Sequence, residues 1–226
     1  MQHSLHEHLG SEWILEGPVG RATGPSPHRF LFAGITIEPD AHPDLVADVA
    51  GDICDSFAVL SGRELPGREP EDGPVWMLRS PGPVADLGRA STGVRIRTVE
   101  TDEELDRWEE LSFVANGGQR ELPGELHPAG SQHDPRLRFL TADIDGAAVG
   151  TGLAVLNTES VTVSAVTVLP EWRGRGIGRE LTVAVLETAP ELPAVLSASE
   201  LGLGVYKRLG FEELERFRRW SRRKPA

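Results

Sequence analysis

The sequence predicts a mixed α/β fold, with a mostly antiparallel central sheet flanked by helices and a smaller α/β domain ahead of it. Three observations carry this. Helix-period and strand-period patterns alternate along the 226 residues. Turn signals separate three consecutive strand candidates between Leu137 and Leu169, so an antiparallel meander is the natural pairing. The stretch from Pro66 to Pro83 is rich in Pro, Gly and charge, and Ser91-Thr92-Gly93 reads as a linker. The expected domains are therefore residues 1–92 and 93–226.

In the first domain, Phe30 to Ile37 reads as a buried strand. Pro43 can open a helix, because a first-turn proline loses no hydrogen bond. Leu45, Val49, Ile53, Phe57 and Leu60 then share one apolar face. Cys54 beside that face reads as a small core residue. Val75 to Leu78 reads as a second short strand. The N-terminal His3, His6 and His8 read as a frayed polar segment.

In the second domain, Val94 to Val99 alternates as a strand. Thr101 and Glu104 make a capping box for a helix with Leu105, Trp108, Leu111, Ser112 and Ala115 on one side, ended by Asn116-Gly117-Gly118. Residues 118–136 form a long polar loop, either a binding loop or disordered. Leu137–Asp143 and Ala148–Leu156 flank Asp145-Gly146, a type I′ hairpin signal. Val161 to Leu169 is the third strand of the meander. A helix follows with Ile177, Leu181, Ala184 and Val185 inward, stopped by Pro190 and Pro193. Ala194 to Ala198 is a strand, Glu200 to Leu209 a short helix capped by Gly210, and Phe211 to Trp220 a final strand. The basic, aromatic end from Arg216 to Lys224 reads as that strand with a solvated tail.

Composition excludes several classes. At 39% hydrophobic and 26% charged residues, the chain is neither disordered throughout nor membrane-spanning. One cysteine excludes an internal disulfide and a cysteine-based zinc site. The first thirty residues lack a basic start and an apolar core, so no signal peptide is expected, and the chain reads as cytoplasmic. A formal net charge of −12 disfavours nucleic acid as a partner, since phosphate neutralisation needs cations. The histidines of the long loop, His127 and His133, with Glu125 and Asp134 nearby, show no tight ligand spacing, so no metal is expected.

One stretch carries chemistry. Arg173-Gly174-Arg175-Gly176-Ile177-Gly178 lies between a strand and a helix. Glycines let a backbone approach a ligand closely, and a helix start offers free N–H groups and partial positive charge. Together they can cradle a phosphate, with charge added by Arg173, Arg175 and Arg179. The spacing is neither a dinucleotide fingerprint nor a P-loop. A glycine-rich turn that only joins strand to helix is the alternative.

The stretch from Val166 to Leu181 resembles the signature of the GNAT N-acetyltransferase superfamily: Arg173-x-x-Gly176-x-Gly178 after a strand and a Pro-x-x step. A second family mark, an aromatic-x-x-Leu-Gly-Phe box, appears as Tyr206-Lys207-Arg208-Leu209-Gly210-Phe211. The resemblance covers roughly residues 93–226 and implies a GNAT-type sheet and acetyl-CoA as co-substrate. It implies that the pyrophosphate sits on the amides from Gly174 to Arg179, Ile177 included. The pantetheine arm would pair with the backbone of Val166, Thr167 and Val168. A backbone N–H near Val166 would stabilise the oxyanion, and a bulge would splay this strand from the next. Tyr206 occupies the family's general-acid position. Ser199 stands where many members carry an asparagine that contacts the arm, a departure from the pattern. The base is open: Glu159 and Ser164 are offered by the slot strand, Ser197 and Glu200 by the next strand and the residues after it, and His127 and His133 by the loop. The expected activity is acetyl transfer to the primary amine of a small molecule or peptide. The alternative is a non-catalytic acyl-CoA-binding or regulatory module on the same fold. The first 92 residues read as a degenerate GNAT-like half without the phosphate turn, or as an unrelated cap. A homodimer is compatible with all of this.

Overall fold

The computed structural model describes residues 12–17, 19–23, 34–36, 56–59, 68–83 and 93–222. The chain folds as two units, Met1–Trp76 with Leu214–Ala226, and Met77–Glu213.

In the first unit, β1 (Trp13–Glu16) and β2 (Val19–Ala22) form an antiparallel hairpin. β2 pairs antiparallel with β3 (Gly34–Thr36), and β3 pairs parallel with β4 (Ser56–Val59). The C-terminal strand β11 (Glu212–Arg222) places Arg218–Ser221 antiparallel to β4. Two expectations are corrected here. The helix expected from Pro43 to Leu60 does not run through Phe57: Ser56–Val59 is a strand, its backbone paired on both sides, while 43–55 and 60 lie outside the described residues. The short strand expected at Val75–Leu78 is part of a longer one, β5 (Arg68–Arg79), which takes in most of the Pro-, Gly- and charge-rich stretch from Pro66 to Pro83. Its burial alternates, with Gly73, Val75, Met77 and Arg79 buried and Pro74, Trp76 and Leu78 half-buried between them. That period of two overrides the turn-forming composition. The expected strand from Phe30 is described only at Gly34–Thr36, and Ser91 and Thr92 lie outside the described residues.

The second unit is the expected mixed, mostly antiparallel sheet with helices on its faces. Its elements are β6 (Arg95–Thr98), α1 (Asp102–Ala115), β7 (Leu137–Ile144), β8 (Ala147–Leu156), β9 (Val161–Val168), α2 (Ile177–Leu186), β10 (Ala194–Ala198) and α3 (Glu200–Arg208). The strand order is β10-β9-β8-β7-β6. Only β10 with β9 is parallel among these pairs. Asp145 and Gly146 have φ of 50° and 82°, the two positive values a type I′ turn needs, so β7 and β8 meet as expected.

Thr101 caps α1 reciprocally: the Glu104 N–H donates to Thr101 Oγ1 at 3.2 Å, and the Thr101 N–H donates to Glu104 Oε2 at 3.3 Å. The helix buries Leu105 and Trp108 against Val99, Leu137, Phe139, Leu153 and Val155. The Trp108 indole N–H reaches the Leu140 carbonyl at 2.8 Å, so burying the ring leaves no polar atom unpaired. On the other sheet face α2 buries Ile177, Leu181 and Val185. It sits close because β8 carries glycine beneath it: a Cβ on Gly150 would lie 2.7 Å from the Thr167 carbonyl oxygen and 3.1 Å from Leu181 Cδ1.

Residues 118–136 are ordered by a carboxylate that its residue type would place at the surface but that helical periodicity places on the inward face, four residues after Leu105. Glu109 of α1 is 1% exposed. It accepts hydrogen bonds from the N–H groups of Gly124 (2.8 Å), Glu125 (3.2 Å), Leu126 (2.8 Å) and His127 (2.9 Å). Arg120 lies 3.5 Å from the same carboxylate.

Candidate functional site

Strand β9 opens the site. Thr151 on β8 faces Thr167, and Leu153 faces Ser164, so Gly152 alone stands opposite both Ala165 and Val166. This is a β-bulge. Ala165 has φ of 47°, the left-handed region where an L side chain crowds its own backbone. Pairing with β10 covers only the start of β9, Val161 opposite Ala194 and Thr162 opposite Val195. The rest of that edge is left to another partner. A cleft of about 490 Å³ opens there. Val166, Thr167 and Val168 line it from β9, Ala115 and Asn116 from the end of α1, Gly174 to Arg179 except Arg175 from the turn into α2, and Ser199, Gly202, Val205 and Tyr206 from α3 and its start.

The turn into α2 leaves the helix start without a side-chain cap. Gly174 and Gly176 have φ of 74° and 81°, which glycine adopts without crowding. Gly176 is the N-cap residue and no side chain caps the helix. The Glu180 N–H donates to the Gly176 carbonyl at 3.1 Å, and the N–H groups ahead of it are those a helix leaves for an outside acceptor. The three arginines differ. Arg173 lines the cleft, but its guanidinium donates to the Val168 carbonyl (3.0 Å) and the Ala115 carbonyl (2.6 Å), tying β9 to α1. Arg175 is outside the cleft wall, stacked 4.6 Å from the centre of the Trp172 ring. Arg179 pairs with Glu180 at 2.6 Å, and its buried Nε has no hydrogen-bond partner among the described residues. That leaves a donor to spare on the cleft wall, which Arg208 of α3 also lines.

Tyr206 faces the cleft from α3, its ring edge-on to Phe211 with centroids 5.8 Å apart. Gly202 makes room for it, since a Cβ there would lie 2.7 Å from Tyr206 Cε2. Burial pushes the phenol up from 10.0 to about 12, because the charged phenolate would lose its hydration.

The other expected residues are scattered. Ser199 lies on the cleft wall as the N-cap residue of α3. Glu200 is exposed between Ser199 and Leu201, both wall residues. Glu159 is exposed in the turn before β9, roughly 20 Å along the strand from Val166 at the usual rise per residue. Ser164 is half-buried just before the bulge, and Ser197 is half-buried in β10. No residue of 118–136 lines the cleft. His127 is buried, edge-on to Trp108 (5.4 Å) and Phe139 (4.9 Å), as a core side chain. His133 is exposed. Glu125 accepts from the Glu121 N–H at 2.7 Å and Asp134 pairs with Arg136 at 2.9 Å, so both serve the loop itself. Two residues escaped sequence reasoning: Glu109, whose one signal is a charged residue four positions after Leu105 on the inward face of the helix, and Thr151, whose one signal is a polar side chain between two glycines in an apolar run. Among the described residues, no group of three or more His, Cys, Asp or Glu side chains could hold a metal ion, and no helix is long and apolar enough to cross a membrane.

Comparison with known proteins follows the same lines. The model of the acetyltransferase (GNAT) family matches residues 97–211. Among solved structures, the chain is similar to a GCN5-related N-acetyltransferase from Kribbella flavida, with 18% identity and a TM-score of 0.70 over 99% of this chain and 95% of that one. It is similar to a functionally unknown conserved protein from Staphylococcus epidermidis, with 13% identity and a TM-score of 0.62 over 96% of each chain. A GCN5-related N-acetyltransferase from Sphaerobacter thermophilus gives 20% identity and a TM-score of 0.59 over 76% of this chain and 60% of that one. At these identities the likeness is one of fold. No curated protein matches.

Proposed function

Since the chain belongs to the acetyltransferase (GNAT) family, we propose that it moves an acetyl group from acetyl-CoA to a primary amine of a small molecule or peptide by direct attack. One observation carries this: an uncapped helix start and a bulged strand edge open on the same cleft, with the half-buried Tyr206 phenol on its wall.

The pyrophosphate binds the N–H groups from Gly174 to Arg179, with Arg179 adding charge. The pantetheine arm extends β9 along Val166, Thr167 and Val168, main chain to main chain. That pairing holds the thioester carbonyl at the bulge, where the Val166 N–H stabilises the oxyanion formed as the neutral amine attacks. Collapse of the tetrahedral intermediate breaks the C–S bond, and Tyr206 donates to the leaving thiolate. A phenol at about 12 gives a proton reluctantly to a thiolate of ordinary pKa near 8.5. The same desolvation raises the basicity of a thiolate in the cleft, which narrows the gap. Glu200, flanked by two wall residues, takes the proton lost by the ammonium, directly or through water. The site needs no metal, and the co-substrate is cytoplasmic.

We read the first unit as a second, degenerate copy of the fold. Its pairings, antiparallel for β1–β2 and β2–β3 and parallel for β3–β4, repeat those of β7–β8, β8–β9 and β9–β10. The Arg-x-x-Gly-x-Gly step appears once in the chain, in the second unit, so one acetyl-CoA binds per chain.

Calorimetry with acetyl-CoA, with NAD and ATP as controls, tests the reading on the full chain. Saturable binding of acetyl-CoA alone is expected, and Gly176→Glu abolishes it by filling the cradle and repelling the pyrophosphate. Unchanged affinity in Gly176→Glu overturns the phosphate site. Binding without thiol release across a panel of amines moves the protein to a non-catalytic acyl-CoA-binding role.

A further inference from the structure

We propose that Thr151 is a positioning residue for the transfer reaction, its hydroxyl holding the Ala165–Val166 bulge and orienting the Thr167 hydroxyl beside the cleft. The inference rests on the acetyltransferase reading above.

Thr151 is 0% exposed and lies on β8 between the two glycines that face α2. Its hydroxyl donates to the Ala165 carbonyl at 2.9 Å and lies 2.7 Å from Thr167 Oγ1. Ala165 is the residue held at φ 47°, and a bulge withdraws part of its backbone from the ladder. Thr151 therefore gives a side-chain partner to the carbonyl of the one bulge residue whose conformation favours glycine. The proton order follows from counting. A hydroxyl has one proton. With the Thr151 proton on the Ala165 carbonyl, Thr167 must donate in the second bond. Thr167 Oγ1 then has only lone pairs to offer elsewhere, and Thr167 is a cleft-wall residue. It can accept from an N–H of the bound substrate and cannot donate to it. Valine at position 151 would keep the shape and remove the bond, leaving a carbonyl short of a partner at the edge of the core. The bulge then relaxes, and the Val166 N–H leaves the place where the oxyanion forms.

The test compares Thr151→Val and Thr151→Ser in the full chain. Thr151→Ser keeps the hydroxyl and should retain wild-type turnover. Thr151→Val should lower kcat by roughly tenfold or more, while affinity for CoA changes by about threefold at most, because the pyrophosphate grip is elsewhere. In nuclear magnetic resonance spectra, the backbone amides of Ala165, Val166 and Thr167 should shift in Thr151→Val and stay put in Thr151→Ser. Wild-type kcat and unmoved amides in Thr151→Val overturn the proposal. So does an equal loss in Thr151→Ser, which keeps the hydroxyl and would assign the effect to packing at this position rather than to the hydrogen bond. If the wild-type chain neither binds CoA nor releases thiol from acetyl-CoA, the acetyltransferase reading fails, and the amide shifts alone decide whether Thr151 holds the bulge. Should Thr151→Val not fold, the wild-type hydroxyl proton decides. A separate, slowly exchanging Thr151 resonance supports the bond, and exchange averaged with water overturns it.

Discussion

Raising the pH on the folded chain reads the environment of Tyr206 directly, because the chain contains one tyrosine and every phenolate signal belongs to it. An unfolded chain gives up the proton near pH 10, and burial pushes the folded phenol up to about 12. Below pH 10 both states hold the proton, and the group's contribution to stability is fully present. As pH rises from 10 toward 12 the unfolded state releases the proton while the folded state keeps it. Stability then falls by about 1 kcal/mol per pH unit, on the order of 2–3 kcal/mol over the whole window. The assay is an ultraviolet absorbance titration of the phenolate, with fluorescence of the five tryptophans as a parallel monitor of folding. The expected result is no phenolate in the folded chain near pH 10, and ionisation either near 12 or together with unfolding. Tyr206→Phe should keep its stability through this window and lose turnover at neutral pH with acetyl-CoA affinity spared. A phenolate midpoint near 10 with the fluorescence unchanged would mean an open, hydrated hydroxyl. That result would refute the enclosed acid on which the leaving-group step depends.

Further expectations concern the scaffold. Gly150→Ala adds a methyl 2.7 Å from the Thr167 carbonyl oxygen, a backbone atom that cannot swing aside. Thermal unfolding should show a loss of about 1–2 kcal/mol after the gain from a stiffer unfolded chain. Gly152→Ala meets nothing closer than 3.5 Å and should be near neutral, so equal effects at the two positions would sink the close packing of α2. Glu109→Gln weakens a buried carboxylate held by four backbone N–H groups and should cost about 3 kcal/mol in urea unfolding, with faster hydrogen exchange at Gly124 to His127. Unchanged exchange there would mean that the loop is ordered by other contacts. Ala165→Gly relieves the left-handed strain of about 1–2 kcal/mol but adds unfolded-state entropy, so stability should stay within about 1 kcal/mol and turnover should persist. A large loss of turnover would show that the methyl group, packed against the α1 core, does more than occupy the bulge.

How much of this was legible follows from where each conformation is decided. Asp145-Gly146, Thr101 with Glu104, and Gly174 with Gly176 state their conformations within a few residues, because positive φ and cap hydrogen bonds are local demands. The turn with two positive-φ glycines and an uncapped helix start was therefore readable from the Arg173 to Gly178 stretch. The bulge was not, because it occurs at an alanine, a residue with no preference for φ near 47°. Gly152 on the neighbouring strand stands opposite it, and the Thr151 hydroxyl bonds the Ala165 carbonyl. Glu109 falls on the inward face of its helix, four residues after Leu105, but its partners are the N–H groups of a loop fifteen residues on, which no local spacing announces. The strand at Ser56–Val59 was mistaken for helix for the same reason: Phe57 and Leu60 fit a helical face in isolation, and pairing to Arg218–Ser221 settles the matter from the far end of the chain. On the proposed reading, grip on a phosphate needs only a turn, whereas placing an oxyanion donor, a positioning hydroxyl and a half-buried phenol around one reacting carbon needs three elements held in register. Chemistry at the bulge is thus encoded in contacts such as Thr151 to Ala165, and substitutions there should separate turnover from cofactor affinity in a way that substitutions at Gly176 cannot.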